Sequence, residues 1–317
     1  SDVYKRQTMP WFAITLTVLT SWIFWLFFSV IPILITSGIQ NSMTYLSSNQ
    51  LQQYKDEGFV SPIDIFSKDK AKEIRDEIET IEKKLPGELE KAGRYNAHLI
   101  SPLLDEVTHN SKILDAVQSL IGKDILVCGT TLFIKNPKEK GFVSYHQDAK
   151  YIGLEPYNWV TAWVAITDSN EQNGCMRMWS GSHKDNLKDH DQKFNEGNLL
   201  TRGQTVNDVP EHETKALILS AGQMSLHHPK TVHGSGLNKS DDRRIGFVIQ
   251  SYIGSNVKQV IGKNSVQIAR GEDKFNFHEK IGRPKSLLDQ DDIKTKKKEN
   301  DNLQEIFYKG ANQKGNY

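Results

Sequence analysis

The chain has 317 residues, 37% of them hydrophobic, enough for one large domain with a sizeable core. Its 40 basic and 39 acidic residues leave a formal net charge of +1. That excludes a strong field for nucleic acid or an anionic surface and favours a small-molecule substrate. Two cysteines, Cys128 and Cys175, cannot build a disulfide framework and fit a reducing compartment.

The first segment is at odds with that compartment. From Pro10 to Ile35 the chain reads "PWFAITLTVLTSWIFWLFFSVIPILI", uncharged and long enough for a bilayer at about 20 residues per span. Lys5 and Arg6 precede it and no charge follows before Lys55, so as an anchor it would place the rest outside the cytosol. The reading preferred here takes residues 1–42 as upstream or vector-derived sequence translated in frame. Met43 then opens a cytoplasmic enzyme whose domain spans 43–285, and membrane attachment enters only if residues 10–35 are genuine.

After Met43, "SSNQLQQYKDEG" predicts a short helix capped by Ser48 and closed by Gly58. In "SKDKAKEIRDEIETIEKKL", residues 67–85, Ala71, Ile74, Ile78, Ile81 and Leu85 recur at helical spacing. A third helix is expected over about 111–122. From Asp124 the texture changes to short β-branched and aromatic runs: "ILVCGTTLFIK", "FVSYHQD", "NWVTAWVAITD", "GCMRMWSGS", "KALILSAGQMSLHH" and "RRIGFVIQSYI". Helices first and strands afterwards describe a mainly β fold with flanking helices, a sandwich or jelly roll. Residues 184–213 read as a long polar insertion, a lid or a disordered loop, and 286–317 as a charged, solvated tail.

Two His-x-Asp pairs stand out, His146/Asp148 and His183/Asp185. A strand projects residues i and i+2 from one face, so His146 and Asp148 after "FVSY" would enter one cavity together. His183 and Asp185 lie in a turn-like context that aligns nothing. A third ligand is His233 in "HHPKTVHGSG". Two imidazoles and one carboxylate on one face of an ion suit Fe(II) with open positions opposite. The loop "HGSGLNKSDDRRIGFVI" then turns the chain back and folds Arg243 or Arg244 toward the metal, where a guanidinium could hold a carboxylate.

Taken in order, "HQD", "VTAWVAITDSNEQNGCMRMWSGSH" and "HHPKTVHGSGLNKSDDRR" resemble the signature blocks of the phytanoyl-CoA dioxygenase family of Fe(II)/2-oxoglutarate oxygenases, over about Leu46 to Ile253. The resemblance implies a double-stranded β-helix, the cupin-like jelly roll. It implies His146, Asp148 and His233 as iron ligands and catalytic centre, with Arg244 on the distal carboxylate of 2-oxoglutarate. Ser235 is implied to assist that arginine, Trp163 to line the co-substrate pocket, and Lys135 in "FIKNP" to meet the other end of 2-oxoglutarate. Fe(II), 2-oxoglutarate and O2 would together hydroxylate a small organic substrate, releasing succinate and CO2. Asp148 implies hydroxylation, because halogenating relatives carry a small residue there.

Other readings are a catalytically silent binding member of the fold and a zinc-binding cupin-like module. His227 and His228 are expected in turn or outer-shell roles rather than as ligands, His98 as a satisfied structural histidine, and Cys175 as packing. Trp159 and Trp163 share a strand face as core or pocket wall, and Asp168 reads as a turn residue. Lys135, Lys138 and Lys140 are placed near the mouth without forming a basic patch for coenzyme A phosphates. Small polar metabolites or secondary-metabolite scaffolds therefore rank above acyl-CoA as substrates.

Overall fold

The computed structural model describes residues 45–311, so the apolar stretch at 10–35 lies outside the described residues. No helix among the described residues is long and apolar enough to cross a membrane.

Local signals build the first helices. Helix α1 (Ser48–Glu57) starts one residue earlier than expected, because Ser47 rather than Ser48 is the cap. The Ser47 hydroxyl accepts the Gln50 N–H at 3.3 Å while the Gln50 side chain accepts the Ser47 N–H at 2.9 Å. Gly58 closes the helix at φ 86°. Helix α2 (Lys68–Lys84), capped by Ser67, buries the expected stripe of Ala71, Ile74, Ile78 and Ile81. After α3 (Pro102–Thr108), α4 (Ser111–Ile121) is capped by Asn110, whose side chain accepts the N–H groups of Lys112 and Ile113.

The strands in chain order are β1 (Phe59–Asp64), β2 (Ile125–Val127), β3 (Thr130–Lys135), β4 (Val143–His146), β5 (Leu154–Glu155), β6 (Trp159–Ala165), β7 (Met176–Trp179) and β8 (Asp191–Gln192). There follow β9 (Gln204–Thr205), β10 (Thr214–Ala216), β11 (Gln223–His227), β12 (His233–Ser235), β13 (Arg244–Gly254), β14 (Lys258–Gln259), β15 (Ser265–Arg270) and β16 (Glu279–Lys280). The large sheet runs β1-β11-β6-β13-β2-β15-β16, with β3 also paired to β13. The small sheet runs β10-β7-β12-β4. This is the expected jelly roll, open rather than a closed barrel.

Strand β6 shows how the layers are assembled. Val160, Ala162 and Val164 join a core with Ile74, Ile78 and Ile81 of α2. The alternate residue Trp163 packs with Met176 and Met178 of the small sheet. All seven residues of β6 are buried because both faces are covered. Helices α2, α3 and α4 lie on one side of the large sheet, and the space between the two sheets is left for a site.

The C-terminal segment corrects the expectation of a solvated tail. It forms α6 (Gln290–Tyr308), capped by Asp289, with Lys296, Glu299, Asn300, Ile306 and Phe307 buried. Lys296 Nζ reaches Glu88 Oε1 at 2.6 Å, and Asn300 Nδ2 reaches Ala92 O at 3.0 Å. Ser265 donates to Glu299 Oε1 at 2.9 Å. Ile306 and Phe307 join a cluster with Leu154 and Trp159. The charges that suggested solvation are partnered by other parts of the chain, which composition does not reveal.

His98 is structural, its Nδ1 2.8 Å from the Thr130 hydroxyl, and burial pushes its pKa down to about 3. The unfolded chain takes up this proton near pH 6.5 and the folded one does not, so stability present above pH 6.5 is lost as pH falls. Between pH 6.5 and 5 the loss from this residue is about 2 kcal/mol. Urea unfolding of the wild type and of His98→Asn at both pH values tests this; equal losses in the two proteins would refute it.

Candidate active site

The two candidate histidines are brought together by strand pairing. Antiparallel β12 and β4 place His233 directly opposite His146, with ring centroids 4.2 Å apart. Asp148 arrives differently from the expected i, i+2 strand geometry. Strand β4 ends at His146, and Asp148 has helical angles, φ −57° and ψ −41°, at the start of the short helix α5 (Ala149–Ile152), which precedes β5. The turn still carries its carboxylate to the imidazoles. Oδ1 lies 3.5 Å from His146 Nε2 and 3.9 Å from His233 Nε2.

Backbone carbonyls orient both rings. His146 Nδ1 donates to Ser144 O at 2.9 Å and His233 Nδ1 to Thr231 O at 3.0 Å, which leaves each Nε2 lone pair facing Asp148. The three donor atoms lie within 4.8 Å of one another and all three residues are buried. With bonds near 2.1 Å, neighbouring ligand atoms around an ion sit about 3 Å apart, so small movements close the set. Burial works to raise the Asp148 pKa, but His233, His146 and His227 hold it well below the ordinary carboxylate value. Burial pushes His233 well below its own, toward the neutral form a metal needs. These residues fit a divalent ion with imidazole and carboxylate preference.

The other pair stays apart from this set, as its context suggested. His183 Nε2 meets Lys55 O at 3.1 Å, and Asp185 binds Lys188 at 2.6 Å. Gln147, between the first pair, anchors instead: it accepts the Lys188 N–H at 2.7 Å and donates to Lys230 O at 2.6 Å.

A cavity opens on the triad, lined by His146, Asp148 and His233. Arg244 lines it and is 1% exposed. Its Nη2 donates to Gly174 O at 3.1 Å, its Nε has no hydrogen-bond partner, and no carboxylate pairs with it among the described residues. Burial lowers its pKa only to about 10, so it remains a cation at neutral pH. Arg243, the alternative left open by spacing, turns outward to Glu82 at 2.7 Å.

Ser235 and Trp163 both line the cavity, with the Arg244 guanidinium 5.4 Å from the Trp163 ring centroid. Lys135 departs from its expected place at the opposite end of the co-substrate. It is fully buried opposite Arg244 in the β3–β13 register, donates to Ser235 Oγ at 2.7 Å and shares the Gly174 carbonyl with Arg244. Burial and the Arg244 charge push its pKa down to about 6, which leaves Arg244 as the charge at that end. Trp163 lies flat because Gly246 has no side chain. A Cβ there would come 2.2 Å from Trp163 Cζ2. Gly246→Ala is expected to lose about 1–3 kcal/mol in urea unfolding. Gly236→Ala, where nothing lies within 4 Å, is the control and should lose far less.

Residues that sequence reasoning missed complete the walls. Tyr95 and Phe307 meet at 5.4 Å between ring centroids, and Tyr151, Gln204 and Gln250 also face the cavity. The expected insertion carries the β8–β9 pair and contributes Leu200, Thr201 and Gln204 to the wall. Phe307 left a readable signal in the i, i+3, i+4 spacing of Leu303, Ile306 and Phe307. Trp159 is core, its Nε1 donating to Leu154 O at 3.2 Å, Cys175 is buried packing, and Asp168 accepts the Ala221 N–H as a turn residue.

A jelly roll with two histidines and one carboxylate on a single cavity wall is the arrangement that non-haem Fe(II) oxygenases use. The chain belongs to the phytanoyl-CoA dioxygenase family, whose sequence model matches residues 54–246. It is 26% identical over 235 residues to a probable alpha-ketoglutarate-dependent hypophosphite dioxygenase of Stutzerimonas stutzeri, covering 68% of this chain and 81% of that protein. Against the peroxisomal phytanoyl-CoA dioxygenase of Homo sapiens it is 31% identical over 138 residues, 42% of this chain and 41% of that enzyme. Among solved structures, the apo non-heme monooxygenase ThoJ matches with a TM-score of 0.73 and 31% identity, covering 81% of this chain and 97% of that one. CytC3 with Fe(II) and alpha-ketoglutarate, at 21% identity and a TM-score of 0.57, shares the fold and covers 77% of this chain and 98% of that one.

Proposed function

We propose that this protein is an Fe(II)- and 2-oxoglutarate-dependent dioxygenase that hydroxylates a small organic substrate. One observation carries the reading: a buried arginine without a carboxylate partner among the described residues shares a cavity with a His-Asp-His set. An uncompensated buried guanidinium is costly, and the distal carboxylate of 2-oxoglutarate would neutralise it. His146, Asp148 and His233 would hold the iron, and Ser235 beside Arg244 would share the carboxylate.

When bound, the iron supplies oxygen activation: O2 and 2-oxoglutarate give succinate and CO2, and the second oxygen atom enters a substrate C–H bond as hydroxyl. The chain positions and protects. Asp148 would fill the ligand position that a small residue leaves open to halide in halogenating relatives, which favours hydroxylation. Tyr95, Ile152, Leu200 and Phe307 give the cavity apolar walls that exclude water. Lys138 is tied to Asp241 and Lys140 lies 3.5 Å from Glu196, while Lys135 is buried rather than at the mouth. That pairing supports a small organic substrate over acyl-CoA.

The test is succinate release and O2 uptake by protein loaded with Fe(II) under anaerobic conditions, then exposed to air with a broad substrate panel. No succinate and no substrate-stimulated 2-oxoglutarate turnover would sink the assignment. Phe307→Ala is expected to change which panel members stimulate turnover while leaving the KM for 2-oxoglutarate within about threefold, since Phe307 belongs to the wall and not to the Arg244 end.

A further inference from the structure

Beside Asp148 and against the ring of His233 lies a third histidine that the proposed function does not use. His227 ends β11 and is 1% exposed. Its neighbour His228 projects to the other face of the strand, toward Tyr54 and His183. His227 faces the cavity, opposite Thr161 in the β11–β6 register, with its ring centroid 4.5 Å from that of His233. Its Nε2 lies 3.4 Å from Asp148 Oδ2, and neither ring nitrogen has a hydrogen-bond partner among the described residues. It is absent from the set of donor atoms that can share an ion.

The two oxygens of Asp148 therefore have different surroundings. Oδ1 faces His146 and His233. Oδ2 faces His227 and the Thr161 hydroxyl at 2.9 Å. That hydroxyl has one proton and two acceptors in reach, because it also lies 2.8 Å from Gln250 O. Whenever the proton goes to Gln250, a buried carboxylate oxygen depends on His227 for a donor. An unpartnered imidazole and an under-supplied carboxylate oxygen, 3.4 Å apart in the same wall, need only a small rotation to satisfy each other.

Building on the metal-site reading above, we propose that His227 is a positioning residue: its Nε2–H holds Asp148 Oδ2, so that Oδ1 alone is presented to the ion. A carboxylate tethered this way binds through one oxygen and leaves the remaining positions open for a chelating co-substrate. Without the tether it can swing to bind through both oxygens or turn away. Groups behind a metal ligand commonly carry a 10- to 100-fold share of metal affinity.

Cobalt(II), added to the metal-free full-length protein, is the probe, read by equilibrium dialysis and by its visible absorption spectrum. His227→Phe keeps the volume and removes the donor. It is expected to weaken Co(II) binding about 10-fold or more and to alter the spectrum, with the fold confirmed by circular dichroism melting. His227→Gln, whose amide reaches Oδ2, should recover most of the affinity and the wild-type spectrum, a rescue that a packing role would not give. His227→Phe combined with Thr161→Val should bind more weakly than either single variant. If His227→Phe does not fold, His227→Asn, too short to span the gap, replaces it in the same comparison. A folded donor-less variant with wild-type Co(II) affinity and spectrum overturns the proposal. Failure of the wild type to bind Co(II) would instead overturn the metal-site reading, and this inference with it.

Discussion

Asp148→Ala is expected to abolish substrate-coupled succinate formation and to weaken metal binding by more than about 100-fold. That bound follows because even groups behind a metal ligand cost 10- to 100-fold. Asp148 supplies the only carboxylate oxygen within reach of His146 Nε2 and His233 Nε2 in the described set, and those histidines hold it ionised despite burial. Removing it leaves two buried imidazoles and an ion with one fewer protein charge. Asp148→Asn separates charge from shape. It keeps an oxygen near the imidazoles and should still lose most of the affinity. Asp185→Ala is the matched control, since Asp185 belongs to the other His-x-Asp pair and binds Lys188. Metal titration and succinate release decide the point, and near wild-type activity in Asp148→Ala would break the assignment.

The second large effect falls on the co-substrate. Arg244→Ala should raise the KM for 2-oxoglutarate about 100-fold, roughly 2.8 kcal/mol, the scale of one or two charge-assisted hydrogen bonds. Arg244 is buried and offers its unpartnered Nε beside a guanidinium nitrogen that reaches only Gly174 O. Arg244→Lys should recover little, because an ammonium cannot form the planar two-point contact. Arg243→Ala is the neighbouring control, since that side chain is paired with Glu82 and faces away. An unchanged KM in folded Arg244→Ala would mean that the carboxylate is held elsewhere.

How the site could be read differs from residue to residue. Spacing alone narrowed the arginine to two positions, and the family pattern chose Arg244; Arg244 opens β13 and lines the cavity, whereas Arg243, just before the strand, pairs with Glu82. The His146/Asp148 pairing was legible, but the reason offered for it, a shared strand face, was not the one the chain uses. β12 read as a glycine loop because three residues, His233–Ser235, show no periodicity of their own. Lys135 read as a residue near the mouth that meets the other end of 2-oxoglutarate, yet it is fully buried against Ser235, where its charge is suppressed.

By itself the sequence determined what depends on short-range pattern: the capped helices, the buried stripe of α2, the succession of strands and the ordered blocks that carry His146, Asp148, His233 and Arg244. Tertiary structure alone decided which distant groups meet. It set Phe307 against Tyr95, Lys296 on Glu88 and His227 beside Asp148. A periodic pattern tells which face of an element will be buried, but the partner that buries it is chosen by the packing of the whole chain. The walls of this cavity and the donor behind its carboxylate are of that second kind.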